Sequence, residues 1–217
     1  SNIARCQWHR LCSDAEIPPG QRIAIATTTA EVPLSDADVA LLPTGDPPHR
    51  SPAHAAAGHR LAMLERALVN APRLSIDPRE LARSGASYSV DTLKELRNEL
   101  GPDAPLAMIV GDDAFAGLPG WHRWTELFDL AHVVVASRPQ PAPWPAQLQE
   151  QLRGRIRTRA PALHGTPAGY VYRLILPLHP QSSSAVRARC AAGLSLQGWV
   201  PDAVAEYIAA HRLYRSV

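Results

Sequence analysis

The stretch Leu106-Ala-Met-Ile-Val-Gly-Asp-Asp113 decides the fold class, because five apolar residues in a row end abruptly at a glycine and two carboxylates. A continuous apolar run of this length is typical of a strand that is buried on both faces of a sheet. His132-Val-Val-Val-Ala136 is a second such run, and Asp38-Val-Ala-Leu-Leu-Pro43 is a third that ends in proline. These runs predict strands of a parallel sheet.

Helical patterns separate these predicted strands. Leu93, Leu96 and Leu100 share one helical face, Ser89 is interpreted as the N-cap of that helix, and Gly101 follows where a helix C-terminus favours glycine. Further helices are predicted at 55–70, 121–130, 148–156, 184–192 and 201–211, and further strands at 73–77 and 171–176. This alternation predicts an α/β doubly wound fold with a mostly parallel sheet and a small C-terminal helical part, residues 182–217.

The composition fits a single domain over residues 1–217 and excludes several classes of protein. Apolar residues make up 46% of the chain, and no run of them is long enough for a transmembrane segment. The 22 basic and 20 acidic residues give a net charge of +2, so charge indicates neither a nucleic-acid partner nor a membrane partner. Three cysteines argue against a disulfide framework and favour a cytoplasmic protein. The oligomeric state stays open.

The residues that follow the apolar run are the first candidate site. Ligands of doubly wound folds bind beyond the carboxyl ends of the strands, where Gly111-Asp-Asp113 lies in this interpretation. A carboxylate there can accept hydrogen bonds from ribose hydroxyls or hold a metal ion. The alternative is a helix N-cap without a ligand.

Ser182-Ser-Ser-Ala-Val-Arg187 is the second candidate, an anion site at the start of a helix. Hydroxyls and unpaired backbone N–H groups at a helix start bind phosphate, and an arginine one turn later grips two of its oxygens. For this segment alone, a serine N-cap beside a solvated arginine is the commoner arrangement.

Two more residues stand near expected loops. Trp121 follows Gly120, so its ring can stack on a flat ligand, although tryptophans at helical spacing usually belong to a core. His49 follows two prolines in a loop that faces the predicted ligand edge, whereas His54 and His59 are interpreted as solvated. No metal-ligand spacing is found, and no residue is assigned a catalytic role.

Five motifs, taken together and in order, resemble the bacterial nicotinate-nucleotide adenylyltransferase family from about Ile23 to Tyr214. They are Val39–Pro43 with Asp46-Pro-Pro-His-Arg50, Ser87-Tyr-Ser-Val-Asp-Thr-Leu93, Gly111 to Trp124, Ser182–Arg187 and the ending Val200-Pro-Asp-Ala-Val204 with Leu213-Tyr214. Any one motif is weak evidence, but five with near-normal spacing indicate kinship.

The resemblance implies AMP transfer from ATP, with Mg²⁺, to nicotinate mononucleotide, which gives the deamido form of NAD and pyrophosphate. It assigns the ATP phosphates to Ser182, Ser184 and Arg187, and the adenosine ribose to Gly111 and Asp113. It assigns the nicotinate mononucleotide to Trp121, Tyr88 and Ser89, with His49 as a weaker phosphate ligand.

The N-terminal residues, 1–22, depart from the family. The family opens with a buried strand that runs into Gly-Gly-Thr-Phe-Asp-Pro-x-His-x-Gly-His, where this chain has roughly Leu11-Cys-Ser-Asp-Ala-Glu-Ile-Pro-Pro-Gly-Gln21. Three explanations are open: a sequence or reading-frame anomaly upstream of about Gly20, a diverged member, or a segment that pairs in the sheet despite its composition. A non-catalytic nucleotide-binding relative is therefore the alternative function, and an adenylyltransferase with another phosphorylated acceptor is a further one.

Overall fold

The computed structural model describes residues 22–26, 38–44, 55–71, 74–137, 143–175 and 181–215. His49 and the segment 1–21 lie outside these residues. The described strands are β1 (Arg22–Ala26), β2 (Asp38–Leu42), β3 (Leu74–Ile76), β4 (Leu106–Gly111), β5 (His132–Ser137), β6 (Ile156–Arg157) and β7 (Val171–Ile175). They form one sheet in the order β3-β2-β1-β4-β5-β7-β6.

Every pairing in this sheet is parallel, which confirms the predicted doubly wound α/β fold. The helices that accompany it are α1 (Ala57–Leu68), α2 (Arg79–Ala82), α3 (Ser89–Leu100), α4 (Asp112–Ala116), α5 (Leu127–Leu130), α6 (Ala146–Gln151), α7 (Ser183–Ala191) and α8 (Asp202–Ala210). None of the helices in the described part of the chain has the length and apolar character that a bilayer crossing needs.

Two apolar clusters cover the two faces of the sheet. Met108 and Val110 of β4 belong to the larger cluster, with Leu93, Phe115 and Phe128 from the helices α3 to α5. Ile109 lies between them in the chain and belongs to the second cluster. Alternate residues of one strand therefore pack on opposite sides, which explains why β4 is apolar without interruption.

A third cluster joins the C-terminal helices to α1. Val204 and Ile208 of α8 pack with Leu196, and Met63 of α1 lies against them. His59 Nδ1 lies 2.9 Å from the hydroxyl of Tyr207, so a polar contact links the same two helices. We propose residues 182–217 as a C-terminal helical part on the strength of this separate cluster.

The centre of the sheet differs from the prediction. No strand was predicted upstream of β2, whereas β1 pairs with β2 on one side and β4 on the other. The segment that follows this central strand is therefore Thr27-Thr-Thr-Ala-Glu-Val-Pro-Leu-Ser-Asp-Ala37. By position, the family's histidine motif corresponds to this segment and not to Leu11–Gln21. Ile23-Ala-Ile-Ala26 escaped prediction because its four apolar residues, two of them alanine, form a short and weak pattern between Arg22 and Thr27.

Three local predictions are wrong. The predicted helix at 121–130 is instead a 3₁₀ turn, Trp124–Glu126, followed by α5, because Arg123 adopts a left-handed backbone conformation with φ of 52°. The predicted helix at 148–156 stops at Gln151, and Ile156 begins β6 instead. Ser89 is the first residue of α3, whose N-cap is Tyr88.

Candidate functional site

Several of the predicted site residues in the described part of the chain follow the carboxyl ends of strands. In a parallel sheet all carboxyl ends meet at one edge, and each following helix starts there. Gly111 ends β4 and Ser137 ends β5 at this edge, and α3 begins there at Ser89, after the connection that follows β3. The fold thus brings residues from separate motifs to one side of the sheet.

Gly111 is both the last residue of β4 and the N-cap of α4. A side-chain carbon added at Gly111 would meet no atom of the described residues within 4 Å, so this backbone position faces open space within the described part of the chain. Asp113 is exposed in the first turn of α4, and the N-terminus of this helix has no side-chain cap. The geometry therefore does not support the N-cap alternative for this carboxylate.

Asp112, the neighbouring carboxylate, is engaged with the protein. Its Oδ1 accepts a hydrogen bond of 2.8 Å from the Ser137 hydroxyl and lies 3.6 Å from Nη2 of Arg173. The Arg173 guanidinium in turn lies 3.8 Å from the centre of the Trp144 ring. This arrangement ties the ends of β4 and β5 to β7. The sequence analysis missed it, although an arginine inside the apolar strand β7 was an available signal.

The predicted mononucleotide residues come together at the start of α3. Tyr88 packs on the ring of His122, with 4.3 Å between the ring centres and 34° between the planes. His122 directly follows Trp121, so the two predicted segments adjoin although they are more than 30 residues apart. Trp121 is half-buried and packs against the larger core, so its ring contributes to the core as well as lying at this edge.

The N-terminus of α3 presents backbone donors beside this pair of rings. Tyr88 has an extended backbone and supplies no side-chain cap. Its carbonyl accepts from the N–H groups of Asp91 and Thr92, which begin the helical hydrogen bonds. The N–H groups of Ser89 and Val90 precede that ladder, and unpaired donors at a helix start favour an anionic ligand.

The serine-rich start of α7 has the N-cap arrangement, and the anion site at the same place stays a prediction. Ser182 is the N-cap, and its hydroxyl accepts a hydrogen bond of 3.1 Å from the backbone N–H of Ala185. Nη2 of Arg187 donates to the Ser184 hydroxyl over 3.1 Å, so these two side chains already share one position. Both hydroxyls are exposed, so they can also face a ligand.

Arg60 of α1 is a further cation that was not predicted for this site. It donates through Nη1 to the carbonyl oxygen of Thr44, just after β2 ends. Burial raises the pKa of the Tyr214 hydroxyl, and the positive charges of Arg187 and Arg60 both act against that rise. The two arginines therefore lie within electrostatic range of the same phenol.

No three His, Cys, Asp or Glu side chains come together as metal ligands within the described ranges. The ATP and mononucleotide candidates therefore consist of hydroxyls, arginines, aromatic rings and backbone groups, with Asp113 as the exposed carboxylate. Such a set binds phosphates and nucleosides by hydrogen bonds, charge and stacking.

Comparisons with known proteins identify the family of this chain. Residues 25–189 match the cytidylyltransferase-like family, and this match begins close to Ile23, where the resemblance was expected to begin. The probable nicotinate-nucleotide adenylyltransferase of Stenotrophomonas maltophilia (strain K279a) is 48% identical over 186 residues, which covers 82% of this chain and 84% of that protein. The similarly named protein of Marinobacter nauticus is 41% identical over 194 residues, which covers 89% and 88%.

Solved structures show the same fold at low sequence identity. The Plasmodium falciparum nicotinic acid mononucleotide adenylyltransferase complexed with NaAD is 13% identical, with a TM-score of 0.62 over 90% of this chain and 98% of that chain. A putative nicotinate-nucleotide adenylyltransferase from Vibrio parahaemolyticus is 14% identical, with a TM-score of 0.57 over 91% and 98%. Together with the close relatives, these matches show that the chain belongs to the nicotinate-nucleotide adenylyltransferase family.

Proposed function

We propose that this chain transfers AMP from ATP to nicotinate mononucleotide, which gives the deamido form of NAD and pyrophosphate in NAD biosynthesis. One observation carries the proposal: Tyr88 packs on His122 with 4.3 Å between the ring centres, next to Trp121. Two segments that the motifs assign separately to the mononucleotide therefore form one surface. The names of the close relatives support the enzyme over a non-catalytic nucleotide-binding protein.

The proposed reaction needs no covalent intermediate with the protein. A phosphate oxygen of nicotinate mononucleotide attacks the α-phosphorus of ATP, a new P–O bond forms, and the bond to the β-phosphate breaks as pyrophosphate leaves. The protein then contributes by aligning the two phosphates and stabilising the charge that develops on them. We assign that charge stabilisation to Arg187, with Ser182 and Ser184 as hydrogen-bond donors. Mg²⁺ enters as the complex with ATP and neutralises the leaving pyrophosphate.

The nucleoside ends of the two substrates use different parts of the edge. Asp113, exposed beside the open space at Gly111, accepts hydrogen bonds from the adenosine ribose. On the other side, the nicotinate ring stacks on Trp121. Its carboxylate accepts from the first backbone N–H groups of α3, next to Tyr88 and Ser89. The small and odd number of cysteines suits a cytoplasmic place for this reaction, which stays a prediction.

Product identification tests the proposal. The 217-residue chain is incubated with ATP, Mg²⁺ and nicotinate mononucleotide, and the products are separated by chromatography and identified by mass spectrometry. We expect nicotinate adenine dinucleotide and pyrophosphate in equal amounts. If both substrates bind by calorimetry and no dinucleotide forms over many hours, the chain is a non-catalytic nucleotide-binding relative.

A further inference from the structure

A buried polar network lies directly behind the start of α3. Glu80, Ser87 and Thr92 expose only 5%, 7% and 3% of their surface. Arg83 joins them: its Nη1 donates to the Ser87 hydroxyl over 2.7 Å and to the Thr92 hydroxyl over 3.2 Å. The Thr92 hydroxyl donates onward to Glu80 Oε1 over 2.8 Å. The three buried side chains thus all have hydrogen-bond partners within one network.

The second arm of the Arg83 guanidinium reaches further along α3. Its Nη2 donates to Glu95 Oε1 over 2.7 Å, one turn beyond Thr92. The planar guanidinium therefore holds Ser87, in the connection before α3, against the first two turns of that helix. Arginine suits this task because its donors form a rigid fork, which a lysine ammonium lacks.

The connection itself is irregular apart from an isolated bridge at Ala86. Residues 83–85 form bends without helix or strand, and Gly85 adopts a φ of 88°. Ser87 is the residue immediately before Tyr88, whose ring packs on His122. Any shift of Ser87 therefore changes where the Tyr88 ring and the first N–H groups of α3 point.

We infer that Arg83 is a positioning residue for the acceptor substrate: through Ser87 it holds Tyr88 and the start of α3 in the orientation that binds nicotinate mononucleotide. This inference rests on the proposed function. Arg83 itself does not contact the substrate, because its guanidinium is occupied by Ser87, Thr92 and Glu95. The residues proposed to bind ATP lie at the starts of α4 and α7, so we expect ATP binding not to depend on this network.

Arg79 provides a matched control on the same pair of helices. Its side chain is 19% exposed, as is that of Arg83, and it also pairs with α3. It lies 2.7 Å from Asp77 and 2.9 Å from Glu99, near the far end of α3, and makes a longer contact of 3.6 Å with Glu95. Loss of Arg79 therefore removes comparable ion pairs without touching Ser87.

The test measures both substrates on both variants. Arg83→Met and Arg79→Met are made in the full chain, and the dissociation constants for nicotinate mononucleotide and ATP are measured by calorimetry, with thermal midpoints alongside. We expect Arg83→Met to weaken nicotinate mononucleotide by about tenfold, the size of effect that indirect coupling typically has, and to leave ATP within twofold. Arg79→Met is expected to leave both substrates within about twofold.

A second variant keeps the inference testable if Arg83→Met does not fold. Ser87→Ala removes the same hydrogen bond from its other end with a much smaller change, and the same selective loss is expected. Equal weakening of both substrates, or no weakening of either, overturns the positioning role while wild-type binding leaves the proposed function standing. A wild-type chain that binds ATP and no nicotinate mononucleotide overturns the proposed function, and this inference with it.

Discussion

Asp112 and Asp113 are neighbours at the end of β4, but their side chains have different surroundings. Asp112 accepts from Ser137 and lies beside Arg173, so its charge is already balanced. Asp113 is exposed one residue later. A carboxylate with satisfied partners stabilises the fold, whereas an exposed one at a ligand edge can accept from ribose hydroxyls. This contrast supports the proposed assignment of Asp113, rather than Asp112, to ATP.

Trp121 is expected to affect one substrate only. Trp121→Ala should weaken nicotinate mononucleotide by about two- to tenfold, because ring stacking is worth about 0.5–1.5 kcal/mol beyond area burial. ATP binding should change little, and Trp199→Ala, which removes a ring that stacks under Arg189, serves as the control. Calorimetric titration of each substrate checks this. Equal losses for both substrates would show that Trp121 serves the core alone.

Arg187 is expected to affect the other substrate. Loss of a charge-assisted contact to phosphate costs about 1.5–3 kcal/mol, so Arg187→Ala should weaken ATP by more than about tenfold while the thermal midpoint stays close to that of the wild type. Arg189→Ala is the matched control, since Arg189 lies on the same helix and donates to the Ser195 carbonyl oxygen instead. Unchanged ATP affinity in Arg187→Ala would leave the start of α7 with its N-cap role only.

His132 makes stability depend on pH. It is 1% exposed, its Nδ1 accepts from the Tyr170 N–H, and its Nε2 therefore donates to the Thr166 carbonyl oxygen. Burial lowers the pKa of this imidazole, so below an unfolded-state pKa of about 6.5 the unfolded chain binds more protons. The contribution of His132 to the free energy of unfolding is therefore fully present above that pH and is lost as the pH falls below it.

Urea unfolding checks the size of this dependence. Between pH 7.5 and pH 5.5, His132 lowers the free energy of unfolding by at most about 1.4 kcal/mol. This is the largest effect one group can have one pH unit below its unfolded-state pKa. The His132→Gln variant, which cannot titrate, should lack this part of the drop although it is less stable overall. An identical pH dependence in both proteins would assign the effect to other groups.

At the scale of elements, the position of β1 shows which segment of this chain corresponds to the family's histidine motif. The family's motif follows its first strand, and the segment that follows β1 here, residues 27–37, contains neither glycine nor histidine. The segment 11–21 does not supply the motif either, because Pro18 and Pro19 have no backbone N–H and Gln21 carries no charge. The histidines that the family aims at the transferring phosphate are therefore absent from both segments.

Slow turnover follows from that absence. Removal of one donor of this kind typically costs about 10²–10³ in rate, so we expect the chain to turn over far below about one per second. Pyrophosphate release with saturating ATP, Mg²⁺ and nicotinate mononucleotide measures it, and calorimetry confirms that both substrates are bound. Turnover within about tenfold of one per second would show that other residues supply the charge stabilisation.

Strands with long apolar runs were predictable from the sequence, whereas the short strands β1 and β6 were not. β4 and β5 have long apolar runs because neighbours cover each face, so pattern alone finds them. β6 has two residues and an exposed Ile156, so its place comes from pairing with β7. The same distinction applies to the site, because local motifs located Tyr88 and Trp121, whereas the contacts of Arg173 join residues far apart in the chain.

At the scale of the whole molecule, the groups proposed for the two substrates lie in separate elements of the α/β fold. The start of α3 and Trp121 form one region, and the end of β4 together with the start of α7 contributes the groups proposed for ATP. Such an arrangement accelerates a reaction by alignment, because two bound phosphates meet without the entropy cost of a bimolecular encounter. Acceptor selectivity should then come from the nicotinate region alone.

The most direct test of this account is an acceptor panel with ATP and Mg²⁺ held constant. Pyrophosphate release is followed over hours with nicotinate mononucleotide, with ribose 5-phosphate, which has the phosphate and lacks the ring, and with no acceptor. We predict release with nicotinate mononucleotide and no release above the acceptor-free control with ribose 5-phosphate. Equal release with both acceptors would contradict the role of Trp121 and Tyr88, and no release with nicotinate mononucleotide would contradict the proposed reaction itself.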